Sequence, residues 1–461
     1  MLRKYIGDRS FYKMVLMIAL PIMAQNGITN FVSLLDNLMV GQIGTEQMSG
    51  VAIANQLLFV YNLCIFGGVS GAGIFGAQFF GKKDYTGVKH TFHFKLILCV
   101  LITVGTVFIF IFSGEQLISF YLHSGGNDGN LDLTLQYGRK YLHMMLLGLF
   151  PFVLSQVYSS TLRESGETIL PMKAGMVAVG VNLVLDYGMI FGKLGFPQMG
   201  VQGAALATVI ARFAEFMMIF LFTHIRRTEY PFMIGIYHGW KIPGKLVKDM
   251  MKKGLPLTAN EALWGLGMAI LTQIYSSKGL AVVAGLNISN TMGNLFNVIF
   301  IAMGNAIGII IGQRLGAGKL KEAVDEDRKL IFFTEVLVLF TAAVFILLSR
   351  LIPGLYNTTE HVRELASSFM VVAGLALPIF ALMNSIYFTL RSGGKVFVTF
   401  LFDSGFLWAV ELVLAYVLCH FTALDIVWIY FCVSFSEIVK CIIGLVLLKK
   451  KVWVNNIVNE S

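Results

Sequence analysis

The chain alternates long apolar runs with short polar connections. Twelve of these runs are long enough to cross the apolar core of a bilayer as an α-helix, which takes about 20 residues. They cover residues 14–40, 50–79, 91–113, 138–162, 169–192, 200–224, 250–276, 281–312, 330–352, 366–390, 396–420 and 424–448. The runs are continuously apolar and lack the alternation of polar and apolar positions that membrane β-barrel strands show. The pattern predicts an all-α polytopic membrane protein with twelve transmembrane helices.

Composition agrees with this class and excludes others. Of the 461 residues, 56% are hydrophobic and 13% are charged, a balance that a soluble domain with a polar exterior does not reach. The net charge of +9 is spread over short basic clusters between the apolar runs, so it does not indicate a nucleic-acid partner. The five cysteines show no CxxC or Cys/His spacing, which argues against a metal or redox site.

The basic clusters predict the topology. With the N-terminus inside, the cytoplasmic connections carry about 26 Lys and Arg residues and the outer connections about six. Because cytoplasmic loops are the basic ones, we expect a multi-pass protein of the bacterial inner membrane with both termini in the cytoplasm. The longest connection is also basic and divides the chain near its midpoint. We interpret residues 225–249 as a cytoplasmic linker between an N-lobe, 1–224, and a C-lobe, 250–461.

The two halves repeat one another. The matching pairs are IALPIMAQN and KGLPLTANE, VAIANQL and VAGLNIS, IFGAQFFGKKD and IIIGQRLGAGK, and TLRESGET and TLRSGGKV. Each pair falls at the same place in its half, and each half has six spans, so the copies share one orientation in the bilayer. Parallel repeats of this kind are typical of secondary transporters.

The motifs resemble those of a known family, the multidrug and toxic compound extrusion (MATE) transporters. The resemblance runs through essentially the whole chain. Its strongest pieces are ALPIMAQNGITNFVSLLDNLMVGQIG, VAIAN, GAQFFGKKD, TLRESGET, NLVLDYGMIFGKLG, GVQGAALAT and GQRLGAGK. It implies two six-helix lobes around a central cavity and drug export driven by inward flow of H⁺ or Na⁺. In the prokaryotic DinF-like branch, the cation or proton site matches Asp36, Asn182, Asp186 and Thr208.

The depths of these residues support one shared site. Asp36 and Asp186 each lie a few residues before the outer end of an outward-running span, so at about 1.5 Å rise per residue they reach one level. Asn182 lies one turn from Asp186, and Thr208 and Asn55 fall near the same depth. Oxygen atoms at one level suit a proton or Na⁺. The alternative is that both carboxyl groups are hydrogen-bonded and fix helix contacts.

The C-terminal half does not repeat this site, since Asp36 aligns with Leu271. It carries other intramembrane acids instead, namely Glu261, Asp403 and Glu411. Glu261 is interpreted either as a carboxylate for cationic drugs or protons, or as a helix-packing group satisfied by a neighbour. The candidates for substrate contact or a second proton site are Asn55, Tyr141 and Glu261.

We therefore expect a secondary active antiporter that exports amphipathic, cationic drugs or toxic organic compounds in exchange for H⁺ or Na⁺ by alternating access. Such a protein contributes to antibiotic resistance. No cofactor is expected beyond the coupling ion, and we expect a monomer in contact with membrane lipid. The alternative is a flippase of lipid-linked saccharides from the same superfamily, which would have a strongly cationic cavity or extra spans. An enzyme is disfavoured because no HExxH, paired-His or GxSxG arrangement occurs.

Overall fold

The computed structural model describes residues 4–122, 130–356 and 358–459. Fourteen α-helices occur in this part of the chain, together with a π-helical stretch, and no β-strand does. The helices are α1 Arg9–Gly41, α2 Thr45–Gly81, α3 Tyr85–Leu122, α4 Leu131–Leu146, α5 Leu149–Glu164, α6 Ile169–Phe191, α7 Val201–Ile225, α8 Gly244–Ser276, α9 Leu280–Gly316, α10 Leu320–Leu348, α11 Glu360–Ser392, α12 Val396–Phe400, α13 Leu412–Phe421 and α14 Ile426–Lys449.

Helix covers each of the twelve predicted spans. Within the described residues, ten helical segments are long and apolar enough to cross a membrane, and α4 with α5 forms an eleventh as a bent pair. The predicted seventh span is the helix α8, which has 33 residues. It falls below the hydropathy of the others because Asn260 and Glu261 interrupt its apolar run. The all-α polytopic fold class is confirmed.

The fourth predicted span is not one straight helix. α4 and α5 meet at an angle of 51°. Pro151 lies one turn beyond the break and lacks the N–H that would continue the helical hydrogen bonds, which explains the bend. Two side chains bond to carbonyl groups at the break: Arg212 Nη1 donates to Gly148 O at 3.4 Å, and the Tyr61 hydroxyl donates to Leu149 O at 3.3 Å. Main-chain carbonyl groups at this depth have no water to bind, so these partners stabilise the bend.

The described chain divides into two compact units. The N-half unit contains residues 24–76, 84–122 and 130–254, and the C-half unit contains residues 4–23, 77–83, 255–356 and 358–459. The predicted linker, 225–249, belongs to the N-half unit and includes a short 3₁₀ turn, Pro231–Met233. The lobe boundaries given above stay a prediction.

In the N-half unit, α6 and α7 pack closely against each other. A Cβ atom on Gly203 would lie 2.8 Å from the main-chain carbonyl of Met189, so a glycine is needed at this contact. Gly192 ends α6 in the left-handed conformation, with φ 68°, and Met199 N donates to Met189 O at 2.7 Å across the turn. This turn brings the first two turns of α7 beside the last two turns of α6.

In the C-half unit, residues 77–83 are fixed by Gln78. Its Nε2 donates to Ser392 O at 2.8 Å, and its Oε1 accepts from Ile457 N at 2.9 Å. The chain after α14 is held by the same contact and buries Trp453, which is 1% exposed. Gln78 therefore links the chain after α14 to the ends of α2 and α11.

The eleventh predicted span, residues 396–420, contains a stretch that is not regular α-helix. Between α12 and α13 the chain forms two π-helical segments, Leu401–Gly405 and Leu407–Glu411. π-helical turns are rare and occur frequently at functional sites. They carry Asp403 and Glu411, two of the acids singled out in the sequence.

Candidate functional site

Three helices of the N-half unit supply the predicted cation or proton site. Asp36 lies on α1, Asn182 and Asp186 on α6, and Thr208 on α7. Asp186 is 2% exposed and Asn182 is also buried, while Asp36 and Thr208 are half-buried. The structure therefore places all four predicted residues in one unit. The turn between α6 and α7 sets these two helices side by side.

Asn182 connects α6 to α7. Its Nδ2 donates to Thr208 Oγ1 at 3.4 Å, and the Thr208 hydroxyl donates to Ala204 O, one turn earlier in α7, at 3.0 Å. The Asn182 side chain also lies close to the Asp186 carboxyl group, one turn further along the same face of α6. The amide therefore links α6 to Thr208 of α7 beside the Asp186 carboxyl group.

The carboxyl groups of Asp36 and Asp186 lie within hydrogen-bonding distance of each other. One oxygen of each, Oδ1, is buried and has no hydrogen-bond partner among the described residues. Two ionised carboxylates cannot hydrogen-bond each other, because both only accept. The pair needs a proton on one carboxyl group or a cation between the two, which is the chemistry expected of a coupling site.

Two further candidates lie next to this pair. The Tyr141 side chain lies close to that of Asn55, and the buried Tyr141 interacts electrostatically with both Asp36 and Asp186. The same tyrosine faces Arg212, whose guanidinium group packs 4.8 Å from the centre of the Phe152 ring. Arg212 was not predicted to belong to this region, since the bend between α4 and α5 that it contacts was not predicted either.

The third candidate, Glu261, lies in the C-half unit on α8. Its carboxyl group lies near the Tyr387 hydroxyl, which forms no hydrogen bond among the described residues, and interacts electrostatically with Arg391 and Asp403. These neighbours are compatible with both interpretations of Glu261. Its role in binding substrate or protons stays a prediction.

The C-half unit also contains a charged cluster that the sequence pattern did not predict. Lys440 on α14 is 2% exposed and forms ion pairs with Glu437 at 2.9 Å, Glu411 at 3.6 Å and Asp403 at 3.9 Å. The spacing of Glu437 and Lys440 could have suggested one of these pairs. The others join α14 to the π-helical segments, which required the tertiary fold.

The fold and the buried acidic groups define a polytopic membrane transporter. The sequence profile of the MatE family matches residues 21–188 and 256–417, which is most of the chain. The chain belongs to the MatE family. This match confirms the predicted family resemblance. It also confirms the prediction that the protein is a transporter and not an enzyme. The assignment of its cation site to the DinF-like pattern stays a prediction.

Known relatives agree over nearly the full length. A probable multidrug resistance protein NorM from Thermotoga maritima is 24% identical over 425 residues, which cover 90% of this chain and 88% of the relative. A solved multidrug resistance MATE family transporter of the MOP superfamily, in an outward-facing conformation, superposes with a TM-score of 0.84 at 18% identity, covering 98% of this chain and 97% of that one. A MOP superfamily transporter from Pyrococcus furiosus, described as having a binding pocket of reverse polarity, gives the same TM-score, identity and coverage.

Proposed function

We propose that this protein is a secondary active antiporter that exports amphipathic, cationic organic compounds, including drugs, in exchange for H⁺ or Na⁺ by alternating access. Membership of the MatE family supports transport, and the multidrug resistance named for its relatives supports this substrate class. The observation that carries the coupling is the pair Asp36 and Asp186, whose buried oxygens lack a partner among the described residues. The basic connections support a bacterial inner-membrane protein with both termini in the cytoplasm.

The chemistry of the pair follows from its contacts. A proton shared by Asp36 and Asp186, or a Na⁺ bound between them, reduces the buried negative charge. Asn182 lies beside Asp186 on α6. When the bound ion leaves, the two carboxylates repel each other, and Asp36 on α1 moves away from Asp186. The membrane potential then supplies about 2.3 kcal/mol per unit charge per 100 mV to drive this exchange. Direct facing of two carboxyl groups favours a proton, because one O–H donor satisfies the other carboxylate.

The flippase alternative is not favoured. A flippase of lipid-linked saccharides needs a strongly cationic site for its diphosphate, whereas the N-half unit presents an acid pair at the predicted site. The Pyrococcus furiosus transporter with a pocket of reverse polarity, for which a different function is suggested, has the same fold. The fold therefore favours neither function, and the acidic character of the site supports the antiporter.

Transport by reconstituted protein tests the proposal. Ethidium efflux is measured in vesicles with an imposed proton or sodium gradient, for the wild type, Asp36→Asn and Asp186→Asn. Asp132→Asn, an exposed carboxylate near the start of α4, is the control. We expect gradient-driven efflux by the wild type and the control, and its loss in both site variants. Wild-type rates for both variants under every gradient would contradict the coupling role.

A further inference from the structure

The Lys440 cluster carries more negative than positive charge. One buried ammonium group faces the buried carboxyl groups of Glu411 and Glu437 and the partly buried one of Asp403. Asp403 also accepts a hydrogen bond from Asn260 Nδ2 at 2.8 Å, so it is satisfied as an ion. Net negative charge at the middle of a membrane span is costly, and the excess therefore falls on the two glutamates.

The two glutamates share an unmet hydrogen-bonding need. Lys440 Nζ donates to Glu437 Oε1, but Glu437 Oε2 and Glu411 Oε1 are buried without a hydrogen-bond partner in the described part of the chain. The two carboxyl groups lie within hydrogen-bonding distance of each other. Both residues are more than nine-tenths buried. A proton on one carboxyl group would donate to the other and satisfy the pair.

Other groups around the cluster do not supply this proton. Tyr275 faces Glu411, and Glu261 and Tyr387 face Asp403. Cys441 lies beside Glu437 and Lys440, with Glu335 of α10 next to it. None of these hydroxyl or thiol groups forms a hydrogen bond with the two unmet oxygens among the described residues. No set of three or more metal-ligating side chains with metal-site geometry occurs in the described residues, which argues for a proton over a metal ion.

We infer that Glu411 and Glu437 form a second proton-binding site, in the C-half unit, with Lys440 and Asp403 as its fixed charges. On uptake, a hydronium ion transfers its proton to one carboxylate, an O–H bond forms, and water leaves; release is the reverse. Glu411 lies at the end of the second π-helical segment, and Ser404 N in the first segment donates to Asn260 Oδ1 at 3.3 Å. Rewinding of this stretch would separate Glu411 from Glu437 and release the proton. Exchange of this proton during transport rests on the proposed antiport function, whereas its binding does not.

Infrared difference spectroscopy tests the binding directly. Purified protein in nanodiscs is measured at low and high pH, and the C=O stretch of protonated carboxyl groups is followed in the wild type, Glu411→Gln and Glu437→Gln. Asp186→Asn reports the N-half pair separately, and Glu335→Gln is the matched control for a buried carboxyl group of the same unit. We expect one pH-dependent carboxyl band to disappear in both glutamine variants and to persist in Asp186→Asn and Glu335→Gln. An unchanged band in both folded glutamine variants would overturn the site and leave the cluster as a structural ion-pair network.

Two further measurements keep the outcomes distinct. If the glutamine variants do not fold, the wild type is labelled with dicyclohexylcarbodiimide, which reacts with protonated carboxyl groups in apolar surroundings. An adduct on Glu411 or Glu437 that declines as the pH rises supports the site, and an adduct on neither rejects it. In vesicles, the number of protons moved per ethidium should fall by about half in Glu411→Gln. A wild-type ratio there would refute exchange during transport, and loss of coupling in Asp186→Asn alone would leave the proposed antiport intact.

Discussion

Each half of the molecule contains a pair of neighbouring carboxyl groups, but the two pairs are stabilised differently. The N-half pair, Asp36 and Asp186, is fixed by a neutral amide, Asn182. The C-half pair, Glu411 and Glu437, lies against the ammonium group of Lys440. The negative charge of a pair without a fixed cation must be compensated by an ion from solution. In the pair beside Lys440, the ammonium group already compensates part of that charge. The difference suggests that the N-half pair responds more strongly to the ion gradient.

The repeated TLR motif shows the same contrast. In the N-half unit, Thr161 Oγ1 accepts from Lys95 Nζ at 2.7 Å, and Lys95 also pairs with Glu164 at 2.9 Å. In the C-half unit, the corresponding Thr389 donates its hydroxyl hydrogen to the buried Asp327 at 2.6 Å. A hydroxyl group can donate or accept, so one conserved position of the internal repeat serves a lysine in one copy and an aspartate in the other. The duplicated backbone therefore does not fix the sign of the charge that each copy buries.

Removing the lysine should have the largest effect. Lys440→Met leaves three carboxyl groups, two of them buried, without their cation, and breaking a buried ion pair costs about 3–5 kcal/mol. We expect the free energy of unfolding in detergent to fall by this amount. The double variant Lys440→Met/Glu437→Gln removes one of the excess charges and should recover part of the loss. Wild-type stability of Lys440→Met would mean that the cluster is already neutral without the lysine.

The N-half pair should behave in the opposite way. Asp186→Asn removes a charge from a pair that has no fixed cation, so the free energy of unfolding should change by less than about 1 kcal/mol. Gradient-driven efflux should fall at least about tenfold, which corresponds to about 1.4 kcal/mol. Thermal unfolding and vesicle efflux measured on one preparation separate the two effects. A variant that loses stability and transport together would indicate a structural role for Asp186.

The two TLR threonines should differ in cost. Thr389→Val removes a hydrogen bond to a buried carboxyl group, which is worth about 1.5–3 kcal/mol. Thr161→Val should cost about 0.5–1.5 kcal/mol, because Lys95 keeps its bonds to Glu164 and Ser160. Thermal unfolding of the two variants, with Thr389→Ser and Thr161→Ser as controls, measures the difference. Equal costs would show that the two copies bury this motif equivalently.

The sequence predicts the parts of this molecule that depend on local spacing. The apolar runs predict the helices, and the four-residue spacing of Asn182 and Asp186 places both on one face of α6. The bend between α4 and α5 was missed because residues 138–162 form one long, mainly apolar run, and Pro151 alone does not show which carbonyl groups Arg212 and Tyr61 will contact. Contacts between helices depend on how each helix is rotated about its own axis, and the pattern of a single apolar run does not determine that rotation.

The Lys440 cluster shows the same limit more sharply. Asp403 and Glu411 were visible as intramembrane acids, but their common partner lies on the next span, more than 25 residues away. The π-helical winding of residues 401–411 also changes which side chains share a face. Only the tertiary fold shows that three acids from two spans surround one lysine.

The smallest expected effect concerns Thr208, and it bears on the identity of the coupling ion. The bond from Asn182 Nδ2 to Thr208 Oγ1 is long, 3.4 Å, and Asn182 stays beside Asp186 without it. If a proton is the coupling ion, Thr208→Val should lower efflux by no more than about fivefold, the equivalent of about 1 kcal/mol. If Na⁺ is the coupling ion, the Thr208 oxygen is one of few available ligands, and its loss should abolish sodium-driven efflux as completely as Asp186→Asn does. Efflux by Thr208→Val and Thr208→Ser, under proton and sodium gradients in turn, separates these outcomes, because the serine keeps the oxygen that only a metal ion would require.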